Sequence, residues 1–193
     1  FDEFHERNLD ADLCLALALH GREVFREGPA LKLLVMSATL AGEEVSKLLG
    51  NAPIVTSSGR QFPVETHYCE AHQLRHSIVQ PTINVVLRVL KEQAGSILVF
   101  LPGQREISSV ARGLADALEH SAEPLQIAPL YGGLSLERQL QALLPAPDGK
   151  RKIVLSTNLA ETSLTIEGIT VVVDSGLVRE AAFDPATGMT RLA

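Results

Sequence analysis

The stretch SILVFLPG at residues 96–103 decides the fold class, because an unbroken apolar run ends abruptly at Pro102 and Gly103. An apolar run of this length is expected of a strand that is buried on both faces, and proline followed by glycine stops it. Helical spacing follows over residues 105–120, and a second strand pattern follows over residues 125–130. This order of strand, helix and strand predicts an α/β fold built on a parallel sheet.

The same alternation extends from this stretch towards both ends of the chain. The sequence predicts further helices over residues 9–27, 42–49, 75–93 and 135–143, with Ser135 as the N-cap of the last. It predicts further strands over residues 31–36, 54–57, 153–156 and 170–174. The polar segment 57–63, which contains glycine and proline, predicts a domain boundary. We therefore expect one domain over residues 1–60 and a second over residues 61–193.

The composition excludes several classes of protein. The 193 residues are 46% hydrophobic and 21% charged, which is typical of a globular chain and argues against intrinsic disorder. No apolar run reaches the ~20 residues that a membrane helix needs, and no signal peptide is visible. The two cysteines, Cys14 and Cys69, are spaced for neither a zinc site nor a disulfide framework. We expect a cytoplasmic protein that does not bind a membrane.

The net charge limits how this chain could bind a nucleic acid. Its formal value is −6, whereas small nucleic-acid-binding modules are usually basic. Any contact with a nucleic acid therefore has to come from a local site and not from a bulk positive field.

The segment Asp2-Glu3-Phe4-His5 is the first candidate site. Two adjacent carboxylates after a strand lie where open α/β sheets bind their ligands. One carboxylate can hold Mg²⁺ through the water shell of the ion, and the next can orient and deprotonate a water that attacks a γ-phosphate. A solvated acidic turn that caps the following helix explains the same residues, so this segment alone leaves both interpretations open.

Two stretches rich in hydroxyl groups also follow predicted strands. In Ser37-Ala38-Thr39, the hydroxyls can reach a neighbouring catalytic loop or form a simple turn. The segment STNLAETSLTI at residues 156–166 places hydroxyls, an amide and a carboxylate directly after a strand. Hydroxyls and helix N-terminal amides bind phosphates well, and a capping box would explain only part of the segment.

A missing motif limits what this chain can do alone. The sequence G-x-x-x-x-G-K-S/T, which cradles a triphosphate, is absent. The chain starts at Phe1 without an initiator Met and ends at Ala193 without a terminating signal. We expect an internal fragment of a longer protein, without ATPase activity of its own.

Four motifs, in this order and at this spacing, resemble those of the DEAH-box helicases of superfamily 2. They are DEFH at residues 2–5, SAT at 37–39, LVFLPG at 98–103 and TNLAETSLTI at 157–166. The resemblance covers essentially the whole chain. It implies RecA-like domains of the P-loop NTPase type, with part of the first and most of the second present. It also implies an ATP-dependent enzyme that moves along single-stranded RNA or DNA.

The resemblance implies roles for individual residues as well. Asp2 would bind Mg²⁺ through water and Glu3 would activate the lytic water, so ATP and Mg²⁺ are the implied cofactors. The residues implied to couple hydrolysis to strand movement are His5, Ser37 and Thr39. The residues implied to contact the nucleic acid are Gly103, Thr157 and Thr162, and those implied to contact the nucleotide are Ser163 and Glu167.

A second interpretation of the whole chain is a RecA-like scaffold that has lost catalysis and serves as a docking module. The Asp2–Glu3 pair counts against this interpretation, because a scaffold has no need of paired carboxylates. An intact triphosphate-binding loop upstream of Phe1 would favour the enzyme.

Overall fold

The chain divides into two compact units, Phe1–His67 and Tyr68–Ala193. The computed structural model describes residues 1–24, 28–29, 31–38, 42–57, 59, 62–69, 77–121, 124–146, 150–160, 166–179 and 181–192. Within these ranges, every helix is too short or too polar to cross a membrane.

In its described residues, the first unit contains two α-helices, α1 (Leu9–Val24) and α2 (Gly42–Leu48). The side chain of Asn8 accepts the backbone N–H of Asp10 at 2.9 Å, as expected of an N-cap residue. After α2 the chain reverses through Gly50, whose φ of +77° lies in the left-handed region that favours glycine at helix ends. Both helices lie where the sequence predicts them.

The two strands predicted in the first unit do not form as regular strands. Residues 31–36 form strand-like backbone hydrogen bonds with Phe1. The amino group of Phe1 donates to Leu34 O, and its carbonyl accepts the Met36 N–H, both at 2.8 Å. The segment is not buried on both faces, since Leu34 is 68% exposed and Met36 is 44% exposed. Residues 54–57 likewise form no regular strand with the described residues, and Val55 is 93% exposed. Apolar composition predicted these strands, but a strand also needs paired neighbours and covered faces.

The second unit is built on a four-stranded sheet in which all neighbouring strands are parallel. The strands are β1 (Ser96–Phe100), β2 (Leu125–Leu130), β3 (Arg151–Ser156) and β4 (Ile169–Asp174), in the order β2-β3-β1-β4. The register aligns Phe100 at the end of β1 with Ser156 on one side and Asp174 on the other. The prediction of an α/β fold with a parallel sheet is confirmed.

Helices cover both faces of this sheet. They are α3 (Val79–Glu92), α4 (Gln104–Leu118) and α5 (Leu136–Leu143). Alternate residues of the central strands point to opposite faces, which creates two apolar layers. One layer joins α3 and α4 to the sheet through Ile97, Val99, Ile153 and Leu155. The other layer includes Leu98, Val154 and Leu130, together with Ala142 of α5.

The apolar spacing of α4 explains its place in the core. Ile107, Val110 and Leu114 recur at helical intervals and are completely buried. The start of α5 agrees less fully with the sequence prediction. Ser135 occupies the predicted N-cap position, but its side chain makes no capping hydrogen bond.

Arg151, the first residue of β3, binds one carbonyl group in the last turn of helix α3 and two just beyond its end. Its guanidinium donates from Nη1 to Leu90 O at 3.0 Å, from Nη2 to Gln93 O at 2.8 Å and from Nε to Gly95 O at 2.8 Å. Carbonyl groups at a helix C-terminus lack intrahelical partners and attract cations. The side chain therefore fixes the end of α3 to the sheet.

Lys152, the next residue of β3, binds carbonyl groups at the C-terminus of α5. Its side chain is 3% exposed, and Nζ donates to Ala142 O at 3.0 Å, to Gln141 O at 3.3 Å and to Leu144 O. Burial lowers the pKa of the Lys152 ammonium from its ordinary value. Because α3 and α5 cover opposite faces, two consecutive cations secure the helices on both sides of one strand.

A β-hairpin follows the sheet and was not predicted from the sequence. It pairs β5 (Ala181–Asp184) with β6 (Met189–Leu192) in antiparallel register. Asp184 organises the turn, because its carboxylate accepts the Thr187 hydroxyl at 2.8 Å and the Ala186 N–H at 3.0 Å. These hydrogen bonds, above all the one from Thr187, lower the pKa of Asp184.

Replacing Lys152 by Met tests the capping of α5. The substitution keeps the length of the side chain but leaves the helix carbonyls without their donor, so we expect the free energy of unfolding to fall by about 1–3 kcal/mol. Urea titration followed by circular dichroism measures this change. Lys150→Met is the matched control, since Lys150 is exposed just before the strand. Equal costs for the two variants would contradict the capping role.

Candidate functional site

The first candidate site is an acidic turn held in an unusual backbone conformation. Glu3 has φ 48° and ψ 40°, in the left-handed region that residues other than glycine rarely adopt. The residue after Glu3 holds this turn in place. Phe4 is buried, and its backbone N–H donates to Met36 O at 3.0 Å. Strain of this kind costs about 1–3 kcal/mol and is concentrated at functional sites.

The imidazole of His5 connects Glu3 with the segment Ser37-Ala38. Its Nδ1 lies 3.3 Å from Glu3 Oε2 and 3.4 Å from the backbone nitrogen of Ala38, which donates to it. One ring nitrogen carries either a proton or a lone pair, so it can satisfy the carboxylate or the amide but not both at once. The structure thus brings Glu3, His5 and the residue after Ser37 together. Thr39 lies outside the described residues.

The carboxylate of Asp2 fits a magnesium ion that is bound through water. Its Oδ1 accepts the N–H of Glu3 at 2.9 Å, and its Oδ2 makes no hydrogen bond to the described residues. The side chain is exposed, so this oxygen can reach an ion and its water shell. Among the described residues, no group of three or more His, Cys, Asp or Glu could hold a metal. Mg²⁺ needs fewer protein ligands, because waters and phosphate oxygens complete its shell.

The second candidate site lies at the carboxyl edge of the parallel sheet. Backbone hydrogen bonds join the segments that leave the strands: Leu101 N–H donates to Ser156 O at 2.8 Å, and Ser175 N–H donates to Phe100 O at 3.2 Å. Thr157 N–H in turn donates to Leu130 O at 3.3 Å. The parallel register therefore brings the segments after all four strands, including those that contain Gly103 and Thr157, to one edge.

Thr157 begins the short 3-10 turn Asn158–Ala160 at this edge. Its Oγ1 accepts the N–H of Leu159 at 3.4 Å, and its hydroxyl proton has no acceptor among the described residues, so it can donate to a ligand. Thr162 and Ser163 lie outside the described residues. Glu167 is exposed in the turn before β4, at the amino edge of the sheet and so at the opposite side from Thr157.

Gly103 has a packing role that the sequence does not reveal. Its φ of −175° is extended backbone that any residue adopts, but a Cβ there would lie 2.6 Å from Arg179 Nη1. The Arg179 guanidinium uses this space to bind Glu106, with Nη2 at 3.0 Å from Oε1. Glycine at position 103 thus makes room for an ion pair between the start of α4 and the segment after β4.

Sequence reasoning missed the arginines at this edge. Arg179 and Arg105, with Gln104 and Ser108, line an open crevice of about 600 Å³ beside Gly103. Neither arginine belongs to a recognisable spacing pattern, and the two are far apart in the chain. Only the register of β1 against β4 brings their segments together.

Comparisons with known proteins place this chain among the helicases. The model of the helicase conserved C-terminal domain matches residues 81–188. The chain is 50% identical over 193 residues to the ATP-dependent RNA helicase HrpB of Escherichia coli, covering 99% of this chain and 23% of that protein. It is 43% identical over 195 residues to the pre-mRNA-splicing factor ATP-dependent RNA helicase prp22 of Schizosaccharomyces pombe, covering 99% of this chain and 16% of that protein.

Solved structures agree with these relatives. The crystal structure of the E. coli DEAH/RHA helicase HrpB matches with a TM-score of 0.83 and 48% identity, over 98% of this chain and 24% of that one. A crystal structure of the E. coli DExH-box NTPase HrpB matches with a TM-score of 0.78 and 48% identity, over 99% and 23%. The predicted resemblance to this group of helicases and the RecA-like fold class are confirmed.

The contact between His5 and Ala38 predicts a change in amide exchange. In His5→Ala the Ala38 N–H loses its acceptor, so its hydrogen exchange should accelerate about fivefold, the equivalent of a net hydrogen bond of about 1 kcal/mol. Exchange monitored by NMR measures the rate. His67→Ala serves as control, because His67 is an exposed histidine elsewhere in the same unit. An unchanged Ala38 rate in His5→Ala would show that this contact does not hold the segment.

Proposed function

This chain belongs to the family of the helicase conserved C-terminal domain, and we propose that the protein containing it is an ATP-dependent helicase that moves along single-stranded RNA or DNA. The chain spans about a quarter of the length of HrpB and less of prp22. The enzymatic cycle is therefore assigned to the longer protein. The G-x-x-x-x-G-K-S/T loop that cradles a triphosphate is absent from these residues, and we propose on this ground that this chain alone does not hydrolyse ATP.

The acidic turn is the observation that carries the hydrolytic half of the proposal. Asp2 would hold Mg²⁺ through water by the carboxylate oxygen that has no hydrogen bond to the described residues, and the ion would supply neutralisation of phosphate charge. Glu3 orients the attacking water and accepts its proton. The backbone of Glu3, in the left-handed region, fixes the direction of its carboxylate before the nucleotide arrives.

His5 is proposed to couple this chemistry to the segment 37–39. Its Nδ1 contacts both the Glu3 carboxylate and the Ala38 amide, so a change at Glu3 alters which partner the imidazole can satisfy. Ser37 and Thr39 flank that amide in sequence. This arrangement supports a role of the segment in transmitting the state of the nucleotide site.

The carboxyl edge of the second unit carries the nucleic-acid half of the proposal. Thr157 presents a hydroxyl that can donate to a phosphate, and Gly103 begins α4 at the same edge. We assign Thr162 to the same strand contact, and Ser163 and Glu167 to the nucleotide. Phosphate contacts carry no base information, so binding should be largely independent of sequence and sensitive to salt.

The proposed domain division assigns residues 1–60 to the first RecA-like domain and residues 61–193 to the second. The separation of the chain into compact units at His67 and Tyr68 supports a division in this region. The four parallel strands of the second unit support its assignment as RecA-like.

Glu3→Gln in the full-length protein should abolish ATP hydrolysis, because an amide cannot accept the proton of the attacking water. Nucleotide binding should persist, since the substitution removes no phosphate ligand. A coupled ATPase assay and fluorescent-nucleotide binding measure the two properties. Glu6→Gln, in the exposed residue at the end of the same turn, is the matched control. Hydrolysis at the wild-type rate in Glu3→Gln would remove Glu3 from the mechanism and favour a scaffold.

Thr157→Ala should weaken binding of single strands and reduce strand-stimulated ATPase activity. One lost hydrogen bond to a charged phosphate corresponds to about 1.5–3 kcal/mol, or roughly 10–100-fold in affinity. Anisotropy with labelled RNA and DNA measures the affinity across a salt series. Thr170→Ala is the control, since Thr170 lies near the amino end of β4, away from this edge. If Thr157→Ala left both affinity and stimulation intact, the assignment of this turn would be wrong.

A further inference from the structure

The crevice beside Gly103 has the chemistry of a phosphate site. We propose that Arg105 and Arg179 bind the phosphate backbone of the nucleic-acid strand, and that Glu106 positions Arg179 for this contact. The inference rests on the proposed function, because it takes a nucleic acid as the partner. It adds residues outside the motifs that indicated the family.

Every side chain that lines the crevice can donate a hydrogen bond to an anion. The crevice, of about 600 Å³, is lined by two guanidiniums, the amide of Gln104 and the hydroxyl of Ser108. Guanidinium groups match phosphate oxygens with paired donors and are weakly hydrated, which favours them in phosphate recognition. Arg105 is exposed and makes no hydrogen bond or ion pair with the described residues. Its donors are therefore free for a ligand.

Arg179 is held in place before a ligand binds. Its Nη2 donates to Glu106 Oε1 at 3.0 Å, while Nε and Nη1 have no partner among the described residues. The Glu106 side chain is only 17% exposed, and Arg179 is 43% exposed. The missing Cβ of Gly103 lets the guanidinium approach the start of α4. Glu106 therefore fixes the direction of Arg179 and leaves its remaining donors facing the open crevice.

The local charge fits a phosphodiester. Two guanidiniums against the single carboxylate of Glu106 leave an excess of positive charge in the crevice, although the whole chain has a net charge of −6. An acidic protein can bind a polyanion through such a local site, although the rest of its surface repels the strand. The crevice also lies at the carboxyl edge of the sheet, where Thr157 starts its turn, so one strand could contact both.

The test measures strand binding by the full-length protein as a function of salt. The probe is a fluorescently labelled uridine-rich single strand, titrated at KCl concentrations between about 50 and about 200 mM. If each arginine binds one phosphate, Arg105→Gln and Arg179→Gln should each lower the slope of log affinity against log salt by about 0.7. Lys91→Gln is the charge-matched control, because Lys91 is exposed near the end of α3, at the amino edge of the sheet. Its slope should equal that of the wild type.

Two further variants separate positioning from charge. Glu106→Ala adds positive charge, yet it should weaken binding if Glu106 positions Arg179. Tighter binding would show that Glu106 is only a counter-charge and overturn this part. Gly103→Ala leaves the charge unchanged but places a methyl group 2.6 Å from Arg179 Nη1. It should weaken binding more in the wild-type background than in Arg179→Gln, because only the wild type has the guanidinium that the methyl group displaces. Equal losses in the two backgrounds would contradict this role of the Arg179 guanidinium.

The outcomes distinguish this inference from the proposed function. A wild-type protein that binds no single strand would overturn both. Strand binding with wild-type affinity and slope in both arginine variants would overturn the inference alone. A loss of strand affinity with an unchanged salt slope would indicate a structural effect. A loss confined to nucleotide binding would assign the crevice to the nucleotide. Either result overturns the inference. If Arg179→Gln lowers the melting temperature, Arg105→Gln decides, because Arg105 makes no hydrogen bond or ion pair with the described residues.

Discussion

The pair of cations at the start of β3 is the constraint on which the second unit depends. Arg151 and Lys152 follow each other in one strand, so their side chains leave on opposite faces and meet the ends of α3 and α5. Each bond set joins charged donors to carbonyls that have no partner within the helix. Helices on both faces are thereby fixed relative to the same strand.

Fixing the helices at the amino edge leaves the carboxyl edge available for function. The segments after the four parallel strands meet at that edge, joined by hydrogen bonds such as that from Leu101 N–H to Ser156 O. These segments contain glycines, hydroxyl-bearing residues and arginines. The residues that hold the helices lie at the other end of the strands. This division lets the edge present polar groups without weakening the core. It also explains how a chain with a net charge of −6 can offer a basic crevice, since the arginines converge there through the register of β1 and β4.

The predictions of secondary structure were correct where the residue pattern of a segment was sufficient to specify it. They were wrong where the segment also needed a neighbouring strand or a covering element. The spacing of Ile107, Val110 and Leu114 was sufficient for α4, and the apolar run at residues 96–101 was sufficient for β1. Residues 31–36 have the same apolar character, but a regular strand also needs a paired neighbour and covered faces, and Leu34 and Met36 remain exposed. The hairpin of β5 and β6 was missed because its strands are short and weakly apolar, although the Asp184 bonds that organise its turn are local ones.

The sequence alone was sufficient to predict the alternation of strands and helices in the second unit. It also contains the order of the four motifs and the chemical types at Asp2, Glu3, His5 and Thr157. These are local properties, since they depend on composition and spacing within short segments. Two features are visible only in the tertiary structure. Glu3 adopts a left-handed backbone conformation beside His5, and Gly103 makes room for Arg179. Such facts depend on which residues meet across the sheet or around a turn. Residues 103 and 179 become neighbours only through strand register, and a sequence read along the chain contains no measure of that distance.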